Sequence, residues 1–267
     1  MRIVGDAGEL DAAWAAEYRR LAREVACRFP RRPVEVLELG CGDGRFTGAL
    51  ARERPDARFT AIDRFVGPYA HARTAIRGRL AAGGLSERVR VVAGDAVDEM
   101  RRWPAHRFDA VVSSELLPEI TSADLATVFR GCLRRLHRGG VSAHVFLSPI
   151  ARTEGQRLTI AADSDPRWSR HPPAEWFSPP PGLARTRLVD AGFSAVRLRR
   201  LPSRLRFTGA AARRQLRRWG VRPTFGRLLG RSANLELPDW VILSGRKPGR
   251  PGAPTRTTGR SAYLVRK

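Results

Sequence analysis

The sequence predicts a doubly wound α/β fold with a parallel sheet. Short apolar, β-branched runs alternate with longer helical stretches through the first 150 residues, and a glycine-rich turn follows the first of these runs at 40–44. Strands that alternate with helices form βαβ units, in which consecutive strands are parallel. A glycine turn between a strand and a helix marks the edge of the sheet at which such folds bind ligands.

The predicted elements follow in chain order. Trp14, Tyr18, Leu21 and Val25 recur on one face, which indicates a helix over 11–28. Apolar runs predict five strands, at Val34–Leu39, Arg58–Asp63, Val89–Ala93, Phe108–Ser113 and Val141–Leu147. Helices are predicted between them, to about Arg54, at Tyr69–Ala82 and at Leu125–His137, the last one closed by Gly139 and Gly140.

The second half is less regular. Residues 148–182 hold seven prolines and several aromatic residues, which predicts a long, partly ordered loop with a functional role. A helix at Leu183–Ala191 and strands at Phe193–Leu201 and Trp240–Ser244 follow, and the insertion between these strands carries a basic helix near Gly209–Trp219. Four regions are therefore expected: 1–32, an N-terminal helix; 33–150, a ligand-binding core; 151–245, a cap loop with the last two strands and the basic insertion; and 246–267, a disordered basic tail.

The charge is strongly uneven along the chain. Lys and Arg number 49 against 26 Asp and Glu, a formal net charge of +23, and all but two of the cations are Arg. Residues 191–267 hold a net +17, whereas residues 1–190 hold +6. This asymmetry predicts either an anionic partner at the C-terminal end or a solvated arginine-rich surface.

Several classes of protein are excluded by composition. The sequence contains no run of about 18 apolar residues, so no membrane helix is predicted. The first ten residues lack the apolar core of a secretory signal. Cys27, Cys41 and Cys132 are odd in number and scattered, so neither a disulfide framework nor a zinc site is expected. We expect a cytoplasmic protein without membrane association; the sequence does not indicate its oligomeric state.

The most informative motif is Val36-Leu37-Glu38-Leu39-Gly40-Cys41-Gly42-Asp43-Gly44, a strand that runs into glycines and then a helix. Glycines permit a tight turn and let the backbone approach a ligand closely. The spacing is G-x-G-x-G, whereas a dinucleotide fingerprint places its third glycine one residue later. The motif therefore indicates a nucleoside site and disfavours NAD.

Polar residues end the next three strands of the predicted sheet. Asp63 follows Gly44 by 19 residues, Asp95 ends the third strand beside Ala96, and Ser113 and Ser114 end the fourth. A carboxylate at the first of these positions can accept both ribose hydroxyls. Each acid taken singly is also explained as a helix N-cap, but the ordered series indicates a common ligand crevice.

With these motifs the sequence resembles the class I S-adenosylmethionine-dependent methyltransferases, over roughly 33–148. The resemblance rests on Glu38, Gly40, Gly42 and Gly44, and it implies a Rossmann-like seven-stranded sheet whose last strand is antiparallel. It also implies S-adenosylmethionine as the cofactor. The positions expected to contact that cofactor are Glu38 (amino group), Gly40, Cys41, Gly42 and Gly44 (methionine part), Asp63 (ribose), Arg64, Asp95 and Ala96 (adenine), and Ser113 (backbone near the methionine part).

Methyl transfer needs a base only when the acceptor carries a proton to be removed. Glu115, directly after the fourth strand, is the first candidate, Glu119 is the second, and His144 is a third. The glutamates are also explained by a helix start, and a strand histidine is often a hydrogen-bonded core residue. No Asn-Pro-Pro-aromatic motif and no cysteine follows this strand, which disfavours adenine-N6 and cytosine-C5 chemistry.

Two substrate classes are consistent with the sequence. The aromatic, proline-rich segment 163–182 favours a small-molecule acceptor, methylated on O or N, over which the segment would close. The arginine-rich insertion favours RNA (rRNA or tRNA), because Arg213, Arg214, Arg217 and Arg218 lie at helical spacing and could track phosphates. A small molecule is preferred. A non-catalytic binding protein is a third reading, disfavoured by the intact cofactor motif.

Overall fold

The computed structural model of the chain describes residues 1–66, 70–171, 175, 177–229 and 234–249. Its strands are β1 (Arg2–Val4), β2 (Val34–Leu39), β3 (Ala57–Asp63), β4 (Val89–Ala93), β5 (Phe108–Ser114), β6 (Leu136–Leu147), β7 (Ser194–Leu201), β8 (Leu205–Thr208), β9 (Asn234–Glu236) and β10 (Trp240–Arg246). Its α-helices are α1 (Leu10–Ala26), α2 (Arg45–Glu53), α3 (Ala72–Ala82), α4 (Ala96–Arg102), α5 (Ser122–Arg135), α6 (Glu154–Ser164), α7 (Pro181–Asp190), α8 (Gly209–Arg218) and α9 (Pro223–Leu229).

The main sheet has seven strands in the order β4-β3-β2-β5-β6-β10-β7. The pairs from β4 to β6 are parallel, and β10 is antiparallel to both β6 and β7. The predicted Rossmann-like sheet with its last strand antiparallel is therefore confirmed.

Alternate residues of the central strands pack on opposite faces of this sheet. Val36 of β2 joins the cluster that α1, α2 and α3 complete, whereas Leu37 joins the cluster of α4, α5 and α7. This alternation follows from the period-two geometry of a strand. Both faces of the sheet are covered, as the doubly wound prediction requires.

A second, three-stranded sheet stands at the carboxyl edge of the main sheet. Its order is β1-β8-β9, with β1 parallel to β8 and β8 antiparallel to β9. The chain enters this second sheet after the carboxyl end of β7 and leaves it before β10. The start of β10 lies beside the end of β6, because the Ser148 amide donates to the Asp239 carbonyl at 2.7 Å. We call β1, α6, β8, α8, α9 and β9 the cap.

Backbone hydrogen bonds hold the parts of the cap together. The Arg222 amide donates to the Trp168 carbonyl at 2.7 Å, and the Arg170 amide donates to the Gly220 carbonyl at 3.1 Å. The loop that follows α6 is therefore joined to the link between α8 and α9. The described part of the chain holds no helix both long and apolar enough to cross a bilayer.

The structure corrects several predictions of secondary structure. Residues 154–164 form α6 inside the predicted loop, with the Thr153 hydroxyl accepting from the Gln156 amide at 3.1 Å as an N-cap. Helix α4 was not predicted, and neither was β1, which pairs with a strand 200 residues away. Helix α5 ends at Arg135, and β6 begins at once and runs through the glycines at 139 and 140, because the strand bends at a register shift there.

A further correction concerns the C-terminal boundary. Arg246 is the last residue of β10, and the Lys247 ammonium donates to the Leu133 and Leu136 carbonyls at 2.7 and 2.9 Å. These two residues therefore belong to the folded part. Residues 250–267 of the predicted tail, and Tyr69 at the start of the predicted helix 69–82, lie outside the described residues.

Candidate active site

The glycine turn occupies the point where β2 reaches the carboxyl edge. Gly40, Gly42 and Gly44 have φ angles of +71°, +48° and +79°, a region that residues with a Cβ rarely adopt. A Cβ on Gly44 would lie 2.4 Å from Ile76 Cγ1, and one on Gly40 would lie 3.0 Å from Leu116 Cβ. The turn is thus held between α3 and the end of β5, and it requires glycine for both backbone angle and space.

Glu38 is buried at the end of β2, directly before this turn. Its side chain is 0% exposed, and neither carboxyl oxygen has a partner of acceptable geometry among the described residues, although the Thr47 hydroxyl is near. Burial raises the pKa of Glu38 to about 8; the Thr47 hydroxyl lowers it and the charge of Asp63 adds to the rise. A buried acceptor of this kind needs a donor, and the ammonium of an amino-acid moiety, directly or through water, would supply one.

Asp63, at the end of β3, organises the neighbouring backbone. Its Oδ2 accepts from the Gly42 amide at 2.9 Å, and its Oδ1 accepts from the Phe65 amide at 2.8 Å. A carboxylate has about four acceptor sites, so both oxygens retain capacity for ribose hydroxyls. Together the glycine turn, Glu38 and Asp63 fit the methionine and ribose parts of the expected cofactor.

Asp95 and its neighbours show a structural function. The Asp95 Oδ1 accepts from the Val97 amide at 2.7 Å and from the Asp98 amide at 3.2 Å, which caps α4 immediately before Ala96. Its Oδ2 lies 3.7 Å from Arg64 Nε. The helix-cap explanation therefore describes what the structure contains, while contact with adenine stays a prediction for Arg64, Asp95 and Ala96.

His144 lies in the core beneath α5 rather than at the crevice. Its Nδ1 is 2.8 Å from the Ser113 hydroxyl, its Nε2 is 2.8 Å from the Ser142 hydroxyl, and its ring packs 5.0 Å from that of Phe129. Desolvation lowers the pKa of His144 to about 3. Because both nitrogens are occupied and the residue is fully buried, we do not retain His144 as a candidate base. The side chain of Ser113 faces this core as well, which leaves only its backbone for a cofactor. Cys41, in the turn, is buried, and burial raises the pKa of its thiol.

Glu115 follows β5 at the same edge and has an unusual backbone. Its φ of +58° is rare for a residue with a side chain. Its amide donates to the Val145 carbonyl at 2.8 Å, and its Oε1 accepts from the Leu147 amide at 3.0 Å. Burial raises the pKa of Glu115 to about 8, the charge of Asp163 adds to the rise, and the Leu147 amide opposes it. Backbone strain and a displaced pKa together are typical of functional sites.

Two further carboxyls lie close enough to influence Glu115. Glu119 ends a short 3-10 turn at the rim, where desolvation raises its pKa, Arg64 lowers it and Asp63 raises it. Asp163, on the last turn of α6, has its pKa raised to about 7 by burial and by the charge of Glu119. Sequence reasoning missed Asp163 because α6 was not predicted. The capping pattern Thr153-Glu154-Gly155-Gln156 is the signal that would have found this helix.

The basic helix α8 uses part of its charge inside the molecule. Arg218 Nη2 donates to both carboxylate oxygens of Asp11 at 2.9 Å, and Arg214 Nη1 donates to the Ala7 carbonyl at 2.8 Å. Arg213, Arg217 and Arg218 are exposed and Arg214 is half-buried, so the helix also presents positive charge to solvent. The structure thus brings the predicted cofactor residues and Glu115 and Glu119 to one edge, whereas His144 lies in the core and Arg214 and Arg218 pair with the N-terminal segment.

Comparisons with known proteins agree with this fold. A family model described as a methyltransferase domain matches residues 36–140. Over 124 residues, 44% of the chain, the sequence is 36% identical to the ribosomal RNA small subunit methyltransferase C of Salmonella choleraesuis (strain SC-B67). Over 105 residues, 39% of the chain, it is 35% identical to the aclacinomycin 10-hydroxylase RdmB of Streptomyces purpurascens. The chain covers 33% and 26% of these two relatives.

A solved S-adenosylmethionine-dependent methyltransferase from Archaeoglobus fulgidus has a similar fold, with a TM-score of 0.56, 16% identity, and coverage of 87% of this chain and 94% of that one. The sheet order, the glycine turn and the matched domain define a methyltransferase domain. Residues 36–140 are a methyltransferase domain, and the prediction of a class I S-adenosylmethionine-dependent methyltransferase is confirmed over that domain.

Proposed function

We propose that the protein transfers a methyl group from S-adenosylmethionine to an oxygen or nitrogen of a small-molecule acceptor. The carboxyl groups of Glu115, Glu119 and Asp163, at the edge of the crevice where β5 ends, carry this proposal. Asp163 and Glu119 raise the pKa of Glu115 there, and Glu119 raises that of Asp163, in a protein of net charge +23. Carboxyls that stay largely protonated near neutral pH can form hydrogen bonds with a neutral acceptor, whereas phosphate binding requires cationic side chains.

The cofactor end of the crevice is supported by residues that fit an amino acid and a ribose. Glu38 offers two unpaired buried oxygens, Asp63 offers free acceptor capacity, and the turn at 40–44 lets the backbone come close without a Cβ. The bound cofactor supplies an activated methyl group on a sulfonium. The contribution of the chain is to orient that group toward the acceptor and to exclude water, and positioning of this kind supplies roughly 7–11 kcal/mol in favourable cases.

Glu115 is the residue best placed to take a proton from the acceptor. A carboxyl whose pKa is about 8 has a basicity matched to neutral conditions, which makes proton transfer efficient in both directions. The Leu147 amide holds its Oε1 at 3.0 Å, so the side chain is already oriented. Burial keeps this carboxyl basic, and the charges of Asp163 and Glu119 add to the effect.

RNA is the second candidate substrate, since one relative is named a ribosomal RNA methyltransferase and Arg213 and Arg217 are exposed on α8. The two candidates are separated by reversing these two arginines. As a matched control, Arg73 and Arg77 lie on α3 with the same four-residue spacing and are also exposed.

The experiment measures transfer of labelled methyl from S-adenosylmethionine to total RNA and to a set of low-molecular-mass hydroxyl and amine acceptors. We expect transfer to members of the small-acceptor set, and equal activity in Arg213→Glu/Arg217→Glu, in Arg73→Glu/Arg77→Glu and in wild type. Transfer to RNA that is lost only in the α8 double variant, together with a flattened salt dependence of RNA binding, would reverse the choice of substrate.

A further inference from the structure

Two arginines of helix α8 lie beside Asp11, which also accepts a hydrogen bond from Arg45, next to the cofactor turn. We propose that Asp11, near the start of α1, is a positioning residue that joins α8 of the cap to the turn at 40–44, so that the cap and the cofactor site keep one relative arrangement. Its relevance to the cofactor rests on the proposed function, whereas the linkage itself is a property of the free protein.

The first link joins Asp11 to the cap. Arg218 Nη2 contacts both Asp11 oxygens at 2.9 Å, and Arg214 Nη2 lies 3.7 Å from Asp11 Oδ2. Arg214 also donates to the Ala7 carbonyl at 2.8 Å, and the Ala211 amide donates to the Gly5 carbonyl at 3.1 Å. Helix α8 therefore has a defined seat on the N-terminal segment, and Asp11 neutralises the two arginines that face it.

The second link joins Asp11 to the turn. Arg45 Nη2 donates to Asp11 Oδ1 at 2.7 Å, and Arg45 Nη1 donates to the Asp43 carboxylate. Arg45 is the first residue of α2, directly after the turn, and Asp43 is inside the turn. Arg79 of α3 donates to the Asp43 carbonyl at 3.1 Å from the other side. Asp43 thus takes part in ion pairs that fix the turn between α2 and α3.

The path ends at the expected ribose ligand, because the residue before Asp43 is Gly42, whose amide donates to Asp63. One carboxylate meets three guanidinium groups along this path, and without it the three cations would repel one another. The Arg218 hydrogen bond, with the charges of Arg218 and Arg45, lowers the pKa of Asp11, so the linkage persists through the neutral range.

The size of the effect follows from exposure. The Asp11 side chain is 52% exposed, and ion pairs of this kind contribute little to global stability. Removing Asp11 should therefore alter the arrangement of the turn more than the folding of the protein. We expect a threefold to fivefold weaker affinity for S-adenosylhomocysteine, about the range that such a network supports.

The test compares Asp11→Asn with wild type by hydrogen exchange of the free protein and by calorimetric titration with S-adenosylhomocysteine. Asp56→Asn is the matched control, because Asp56 is also a partly exposed acid and is paired with Arg54 at 2.8 Å away from the turn. Asp11→Glu retains the charge and should restore most of the affinity, and Arg45→Gln breaks the same path at its other end.

We expect faster exchange in both 40–46 and 209–218 in Asp11→Asn and Arg45→Gln, with wild-type exchange and affinity in Asp56→Asn and a thermal midpoint close to that of the control. Faster exchange confined to 209–218, with an unchanged turn, would overturn the proposal. If wild type itself fails to bind S-adenosylhomocysteine, the proposed function fails, and the exchange of the free protein still decides whether Asp11 links the two regions.

Discussion

The amide of Gly42 donates to the carboxylate of Asp63 across 2.9 Å, which joins the turn after β2 to the end of β3. These residues are 21 positions apart and come from adjacent parallel strands. Through this bond one residue serves two purposes, because Asp63 shapes the glycine turn and retains acceptor capacity for a ligand. Substitutions here should affect ligand binding before they affect folding.

Asp63→Ala should weaken binding of S-adenosylhomocysteine by about 1.5–3 kcal/mol, the range for hydrogen bonds to a charged group. The loss has two sources, the missing ribose acceptor and a turn that no longer has the Gly42 contact. Calorimetry measures it, with Asp98→Ala on α4 as a control that removes only a surface pair with Arg101. A wild-type dissociation constant in a folded Asp63→Ala protein would refute the assignment of Asp63.

Gly42→Val should abolish cofactor binding, because a β-branched residue does not tolerate a φ of +48°. Gly78→Ala is the comparison: this glycine lies in α3, and a Cβ there meets nothing within 4 Å. We expect the second variant to bind normally and to be as stable as wild type or more so. Circular dichroism confirms that both variants fold, and titration with S-adenosylmethionine and with NAD measures ligand binding. Binding of NAD by wild type would contradict the argument from glycine spacing.

Stability should fall as the pH rises from about 4.5 to 8. The folded-state pKa values of Glu38 and Glu115 are raised from 4.5 to about 8, so in this interval the folded protein holds protons that the unfolded chain has released. Asp163, raised from 3.8 to about 7, acts in the same direction. The check is urea unfolding of the unliganded protein at pH 5, 6, 7 and 8.

In Glu38→Gln, the free energy of unfolding should fall less between pH 5 and pH 8 than it does in wild type, because one titrating group has been removed. Each protein is compared with its own value at pH 5. An identical slope in the variant would mean that Glu38 does not carry a raised pKa.

Glu115→Gln should lower the rate of methyl transfer by about 100-fold for acceptors that must lose a proton, the lower end of the contribution of general base catalysis. The amide oxygen can still accept from Leu147, so orientation is preserved while titration is lost. Affinity for S-adenosylhomocysteine should not change. Glu119→Gln is the matched control at the rim and should have a smaller effect; equal rates in Glu115→Gln and wild type across the pH range would remove Glu115 from the mechanism.

His144→Ala should lower the free energy of unfolding by about 2–4 kcal/mol, because it leaves a cavity and two buried serine hydroxyls without their partner. The pKa of His144 is lowered from 6.5 to about 3. The contribution of His144 to stability is therefore present above pH 6.5 and is lost as the pH falls from 6.5 toward 3. The variant should therefore be less sensitive to acid than wild type. His137→Ala, at an exposed position on the same strand, should change little. An unchanged stability with a lost rate would restore a catalytic interpretation.

Local patterns in the sequence determined the strands from Val34 to Leu147, the glycine turn and the acids at the strand ends. Each of these depends on residues that are neighbours in the chain: a period of two or 3.6, or a backbone angle that only glycine adopts easily. The position of Asp63 followed as well, because parallel strands present their carboxyl ends at one edge.

The tertiary structure alone decided which side chains meet across long separations. It paired β1 with β8, buried His144 between Ser113 and Ser142, brought Asp163 within electrostatic reach of Glu115, and turned Arg214 and Arg218 toward Asp11. No local periodicity encodes such contacts, since some of them join elements more than 200 residues apart. The sequence shows that each arginine carries a positive charge, but only the fold determines which group neutralises it.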